Sequence, residues 1–169
     1  ALIPAGTKFY INSLCFETTE AENIPGNIIK AVIVKPKYGS IFKLDMLHKD
    51  DMSGMVIYPF GKKTGVGSEF YICLKKSLET GKTYRLSILL DEHYSVKRNP
   101  IKDISRFIPL SKIKITYFDS SGETEIYADD STLGMIRSGE YKFSIKGDMA
   151  YSVKEGIEGY FIKFTLVED

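Results

Sequence analysis

Residues 69–88, Glu-Phe-Tyr-Ile-Cys-Leu-Lys-Lys-Ser-Leu-Glu-Thr-Gly-Lys-Thr-Tyr-Arg-Leu-Ser-Ile, hold two alternating apolar runs joined through a Leu-x-x-Gly-Lys-x-Tyr corner. Successive side chains of a strand point to opposite faces of its sheet. Phe70, Ile72 and Leu74 therefore share one face and Tyr71, Cys73 and Lys75 the other, and Tyr84, Leu86 and Ile88 repeat the pattern beyond Gly81. Such alternation predicts two half-buried antiparallel strands of a sandwich.

Similar runs recur at residues 8–17, 28–34, 41–47, 55–58, 111–118, 140–146 and 160–167, while helical periodicity is scarce. Turn formers separate them: Pro25-Gly26-Asn27, Pro36-Lys37-Tyr38-Gly39, Phe60-Gly61, Gly65-Val66-Gly67, Asn99-Pro100, Ser121-Gly122 and Gly147-Asp148. The expected fold is all-β, a two-sheet antiparallel β-sandwich of jelly-roll-like type with about nine strands and little helix. Residues 91–106 are polar and read as a long surface loop. At 169 residues the chain is expected to form one domain, 1–169, large enough to bury its core without disulfide or metal support.

Lysine plus arginine number 23 against 22 for aspartate plus glutamate, so no net field draws the chain to nucleic acid or to an anionic membrane. No apolar run approaches the roughly 20 residues that cross a bilayer as a helix, and the chain opens at Ala1, as a trimmed mature domain would. Cys15 and Cys73 are too few for a disulfide scaffold and too far apart for a CxxC motif. They are read as two free thiols or as one disulfide.

Catalytic constellations are scarce. His48 and His93 lie in different segments, and neither has a second ligand at metal-binding spacing. A metal held by His93 with Asp91 and Glu92 is the arrangement that would favour an enzyme. Asp50-Asp51 and Asp129-Asp130 read as solvated turns, since the alternating oxygens of a calcium loop are missing. Residues 61–67, Gly-Lys-Lys-Thr-Gly-Val-Gly, resemble a phosphate loop only in composition, because a strand and not a helix follows. The aromatic inventory, 11 Tyr and 10 Phe with no Trp, is more suggestive. Tyr71 has the parity of an outward face, and an antiparallel neighbour running through residues 83–90 would set Arg85 and Ser87 beside it. That trio is the candidate ligand platform.

Asn12-Ser-Leu-Cys-Phe16-Glu17, the Pro25 turn, residues 31–36, Gly39-Ser40, Phe42 and residues 65–90 together resemble carbohydrate-binding-module-like, galactose-binding-like sandwiches. The pattern is also similar to sandwich domains in outer-membrane proteins of the Bacteroidetes. About half the chain carries the resemblance. It implies a non-catalytic extracytoplasmic recognition domain, secreted, periplasmic or at the cell surface, whose partner is a glycan or a surface protein. It implies no organic cofactor, and a structural calcium only if Glu17 acts as a ligand. The chain departs from the pattern in three places: Val34-Lys35 stand where a Trp is common, Lys163 stands where a calcium-linked acid is expected, and Ser138-Gly-Glu-Tyr-Lys-Phe143 matches only generically. The alternative is a structural or assembly subunit of a bacterial surface or secretion structure with no small-molecule ligand, since the Ile3-Pro-Ala-Gly-Thr7 opening is similar to β-rich domains of secretion-channel proteins.

Overall fold

A computed structural model describes residues 2–11, 13–23, 29–46, 56–91 and 111–168. Its described residues form fourteen strands, twelve of them three residues or longer, where the sequence led to an expectation of about nine. In chain order these are β1 (Leu2–Ile3), β2 (Lys8–Ile11), β3 (Leu14–Glu17), β4 (Glu22–Asn23), β5 (Ile29–Lys35), β6 (Phe42–Asp45) and β7 (Glu69–Leu74). They are followed by β8 (Thr83–Ile88), β9 (Lys112–Asp119), β10 (Gly122–Ile126), β11 (Ala128–Asp130), β12 (Gly139–Ser144), β13 (Ser152–Lys154) and β14 (Ile157–Glu168).

The larger sheet runs in the order β10-β9-β14-β7-β5-β6, with β13 pairing the start of β14, and the smaller is β11-β12-β8. Every pairing is antiparallel. Between the sheets lies the main core. Val32, Val34, Phe70, Ile72, Leu74, Ile162, Phe164 and Leu166 supply the inner face of the large sheet, and Tyr141 and Phe143 that of the small one. Tyr141 meets Phe164 at 5.6 Å between ring centroids, an edge-on contact that joins the two sheets. The expected all-β antiparallel sandwich is what the described residues form, its two main sheets accompanied by the two-stranded pairs β1–β4 and β2–β3.

Three differences from expectation have simple causes. Residues 8–17 are not one strand but the hairpin β2–β3, with Ile11 paired to Leu14, because the intervening polar pair Asn12-Ser13 is turn-forming in composition. The edge strand β10, Gly-Glu-Thr-Glu-Ile, carries too few apolar residues to show the alternation of a half-buried strand. Residues 56–58 form no strand. Phe60 is buried in the main core with Ile57 packed against it, and this segment closes one end of the sandwich.

The outer face of the large sheet is also covered. Ala31, Ile33, Tyr71, Cys73 and Phe161 form a second cluster, with Phe118 and Ile157 against it. A Cβ at Gly159 would run into Cys73 Sγ and lie 2.9 Å from the Leu74 carbonyl, so only glycine lets β14 approach β7 this closely. The Cys73 thiol faces the Glu158 carbonyl at 3.6 Å, and the Lys30 ammonium donates to that carbonyl at 2.7 Å.

Candidate functional site

The structure does not bring Tyr71, Arg85 and Ser87 together. Strand β7 pairs with β14 and β5, whereas β8 pairs with β12 in the other sheet. The corner at residues 75–82 crosses between sheets and is no hairpin. Arg85 and Ser87 therefore stand on the outer face of the small sheet, where Ser87 Oγ donates to Glu140 Oε1 at 3.3 Å, and Tyr71 stands on the far side of the molecule.

Tyr71 keeps its expected parity, yet it is only 7% exposed, and its ring meets Phe161 edge-on at 6.3 Å. Its hydroxyl donates to Glu69 Oε2 at 2.9 Å. Glu69 in turn faces Lys35 Nζ at 3.3 Å and Lys163 Nζ at 3.6 Å, and the Lys163 ammonium also donates to Glu123. Thr116 Oγ1 donates to the second oxygen of Glu123 at 3.0 Å. Two ammoniums and two carboxylates close a neutral network across β10, β9, β14, β7 and β5. Burial by itself would raise the Glu69 carboxyl, but the hydrogen bonds from Tyr71 and Lys35 and the nearby Lys35 and Lys163 charges outweigh it and hold Glu69 below the usual carboxylate range. Burial, reinforced by the Glu69 acceptor, pushes the Tyr71 hydroxyl up. With its hydroxyl engaged and its ring buried, Tyr71 is not offered to a ligand.

Lys163 clarifies the calcium expectation. Where the resemblance calls for an acid, the chain places its own cation, buried to 7% exposure among carboxylates. Glu17 lies elsewhere, exposed on the β2–β3 hairpin and opposite Lys8. Among the described residues no three His, Cys, Asp or Glu side chains group as metal ligands do. Asp130 closes the turn after β11, accepting from Thr132 N at 2.7 Å and Gly134 N at 2.8 Å. His48, His93, Glu92 and Asp50-Asp51 lie outside the described residues. Cys15 is exposed and Cys73 buried, both as free thiols, and burial pushes the Cys73 thiol up despite the offsetting charge of Lys30.

A different set of aromatic residues is open. At the end of the sandwich closed by Phe60, a cleft of about 630 Å³ is lined by Val34, Pro36, Tyr38, Phe42, Tyr58 and Lys62, among others. Its volume suits a small ligand or one or two sugar units. Tyr38 is 62% exposed, Tyr58 55% and Phe42 47%, a concentration of apolar surface that folding left in water. The geometry follows from two turns. Phe42 shares the parity of buried Leu44 but lies beyond the covered core, opposite Val34. Gly61 adopts φ +83° with its α-carbon against Pro36, so a Cβ there would meet Pro36 Cβ at 2.6 Å. A Cβ at Gly65 would lie 3.0 Å from the Tyr38 ring. These two glycines let residues 61–67 lie flat against residues 36–38.

The loop is also tied down by its backbone. Gly61 N donates to Tyr58 O at 3.0 Å, Ser68 N to Gly65 O at 2.9 Å, and Gly67 N to Leu166 O at 2.8 Å. Fully buried Ser68 accepts from Lys37 N at 2.9 Å. In the sequence, Pro36-Lys37-Tyr38-Gly39 and Phe60-Gly61 read as separate turns. Their shared signal was an aromatic or cationic residue inside each glycine-flanked turn, but nothing in the sequence shows that the two turns meet. No family model, curated protein or solved structure matches the chain.

Proposed function

We propose that this chain is a non-catalytic extracytoplasmic recognition domain that binds a glycan in the Tyr38–Phe42–Tyr58 cleft. The single observation that supports this most is the exposure of three aromatic rings around one concave, loop-braced surface. Tyrosine and phenylalanine faces stack on the apolar C–H faces of sugar rings, and the Ser40 hydroxyl and lysine ammoniums at the rim supply hydrogen bonds that orient them. The extracytoplasmic setting follows from the resemblance of the sequence pattern to surface sandwiches. A glycan array followed by calorimetry tests the reading on wild type, a Tyr38→Ala/Tyr58→Ala variant and an Arg85→Ala control. The expected result is binding that the double variant loses and the control retains. Absence of any glycan hit, or a double variant that folds and binds as wild type does, sinks the proposal.

One observation favours an assembly role instead. Hairpin β2–β3 exposes Phe9, Tyr10, Leu14 and Phe16 at 42%, 70%, 63% and 50%, and among the described residues its strands pair only with each other. Apolar residues on two unpaired strand edges suit strand addition by another chain. Light scattering across a concentration series decides this: assembly predicts oligomers that Phe16→Ser weakens, and a strict monomer at every concentration removes it.

A further inference from the structure

We propose that the glycan bound in the Tyr38–Phe42–Tyr58 cleft is anionic, carrying carboxylate or sulfate groups that pair with Lys62 and Lys63. The inference rests on the glycan reading above and adds the charge of the ligand. Among the described residues that line the cleft, Lys62 and Lys63 are the charged ones and none is acidic. Lys37 stands next to the same surface, its Cβ 3.4 Å from where a Cβ on Gly65 would lie.

Elsewhere lysines meet several kinds of partner: Lys30 and Lys43 donate to the Glu158 and Glu155 carbonyls, Lys154 lies over the Phe118 ring, and others have an acid at hand. Lys35 is paired with Glu69 at 3.3 Å, Lys82 with Glu79 at 2.6 Å, Lys112 with Glu168 at 3.5 Å and Lys114 with Glu125 at 3.8 Å. Among the described residues that line the cleft no acid is present, and a ligand that supplies one pairs with the two ammoniums.

Placement favours the same ligand. The Lys62 ammonium sits 5.8 Å from the centroid of the Tyr58 ring, so charge and stacking surface belong to one contact patch. The backbone that carries Lys62 and Lys63 is fixed at both ends by the hydrogen bonds of Gly61 and Ser68, which confines where the two ammoniums emerge. A nearly neutral chain exerts no long-range pull on a polyanion, and the lysines need none: they act within the Debye length of about 8–10 Å, on a sugar already seated against the rings.

Calorimetry on the full chain at low salt uses three probes. Oligogalacturonate carries carboxylates, a heparin-derived oligosaccharide carries sulfates, and fully methyl-esterified oligogalacturonate keeps the sugar while removing the charge. The expected result is that at least one anionic probe binds roughly tenfold more tightly than the ester, the sum of two exposed ion pairs. The better of the two identifies the anionic group. Lys62→Gln/Lys63→Gln should erase that preference with an unchanged urea midpoint, and Tyr58→Ala should weaken every probe. Equal affinity for ester and anionic probes, or binding of neutral array glycans only, overturns the charge inference and leaves the glycan reading standing. Failure of every sugar overturns the glycan reading itself.

Discussion

Around Tyr71 and around Tyr58 the chain brings together the same residue types, tyrosine and lysine, with opposite results. At Tyr71 the hydroxyl, two ammoniums and two carboxylates satisfy one another and the ring is buried against Phe161. At Tyr58 the ring is 55% exposed and the neighbouring Lys62 meets an aromatic face with no acid lining the cleft among the described residues. The difference lies in the carboxylates. Glu69 and Glu123 convert a cationic aromatic surface into a closed structural network, and a surface of the same kind without them stays available. Residue type alone therefore does not identify a binding platform; the inventory of partners does.

The sharpest way to break the comparison is Lys163→Met. It removes the cation shared by Glu69 and Glu123, whose ammonium lies 6.0 Å from the Phe118 ring centroid, and leaves an unbranched apolar side chain in its place. Breaking a buried pair costs about 3–5 kcal/mol, and partial hydration of Glu123 discounts this to roughly 2–4 kcal/mol, readable as a lower urea midpoint at pH 7. The pH dependence separates electrostatics from packing. Glu69 is depressed in the folded state, so the stability it contributes is complete above the unfolded carboxyl value of about 4.3 and is lost as pH falls through the folded value. The gap between wild type and variant should accordingly narrow below about pH 4. A gap of equal size at pH 3 and pH 7 would mean that the network is only packing.

How much of this was legible in the sequence depends on the level of structure. The faces of β7 were: Phe70, Ile72 and Leu74 do point into the main core. Its neighbours were not, because alternation assigns faces and is silent about partners. Residues 75–82 make a connection longer than most hairpin turns, which is compatible with a crossing between sheets. Burial of the outer face had a sequence sign in β5, whose Ala-Val-Ile-Val run is apolar without alternation, as strands covered on both faces are. The Tyr58 cleft had no comparable sign. It exists because two turns far apart in the chain meet over the end of the core, and each alone reads as an ordinary loop.

Tyr71→Phe gives a smaller effect on the closed side. It removes the hydrogen bond to Glu69 and keeps the ring against Phe161, so about 1 kcal/mol is expected. Its alkaline behaviour carries more information. The Tyr71 hydroxyl is raised in the folded protein, so its contribution is present below the unfolded value of about 10 and fades as pH rises beyond it. Wild type should lose stability relative to Tyr71→Phe above about pH 10 in denaturant titrations, and parallel curves would show that the hydroxyl is neither buried nor held by Glu69.

The smallest effect on stability belongs to the open side. Tyr58→Ala removes a ring already more than half in water, and surface truncations of this kind change stability by about 0.5 kcal/mol or less. Buried Phe60, two residues further along the same segment, shows what the ring at 58 does not do, since its truncation should cost about 3 kcal/mol or more. Measured together in urea, the two variants test whether residues 56–60 divide their labour between plugging the core and facing a ligand. If Tyr58→Ala destabilises the fold as much as Phe60→Ala, the Tyr58 ring is a structural part of the closure, and loss of glycan binding in that variant would no longer identify a contact. If it leaves the midpoint unchanged, any loss of affinity is a property of the cleft itself, and the exposed rings have the role that the buried Tyr71 ring cannot have.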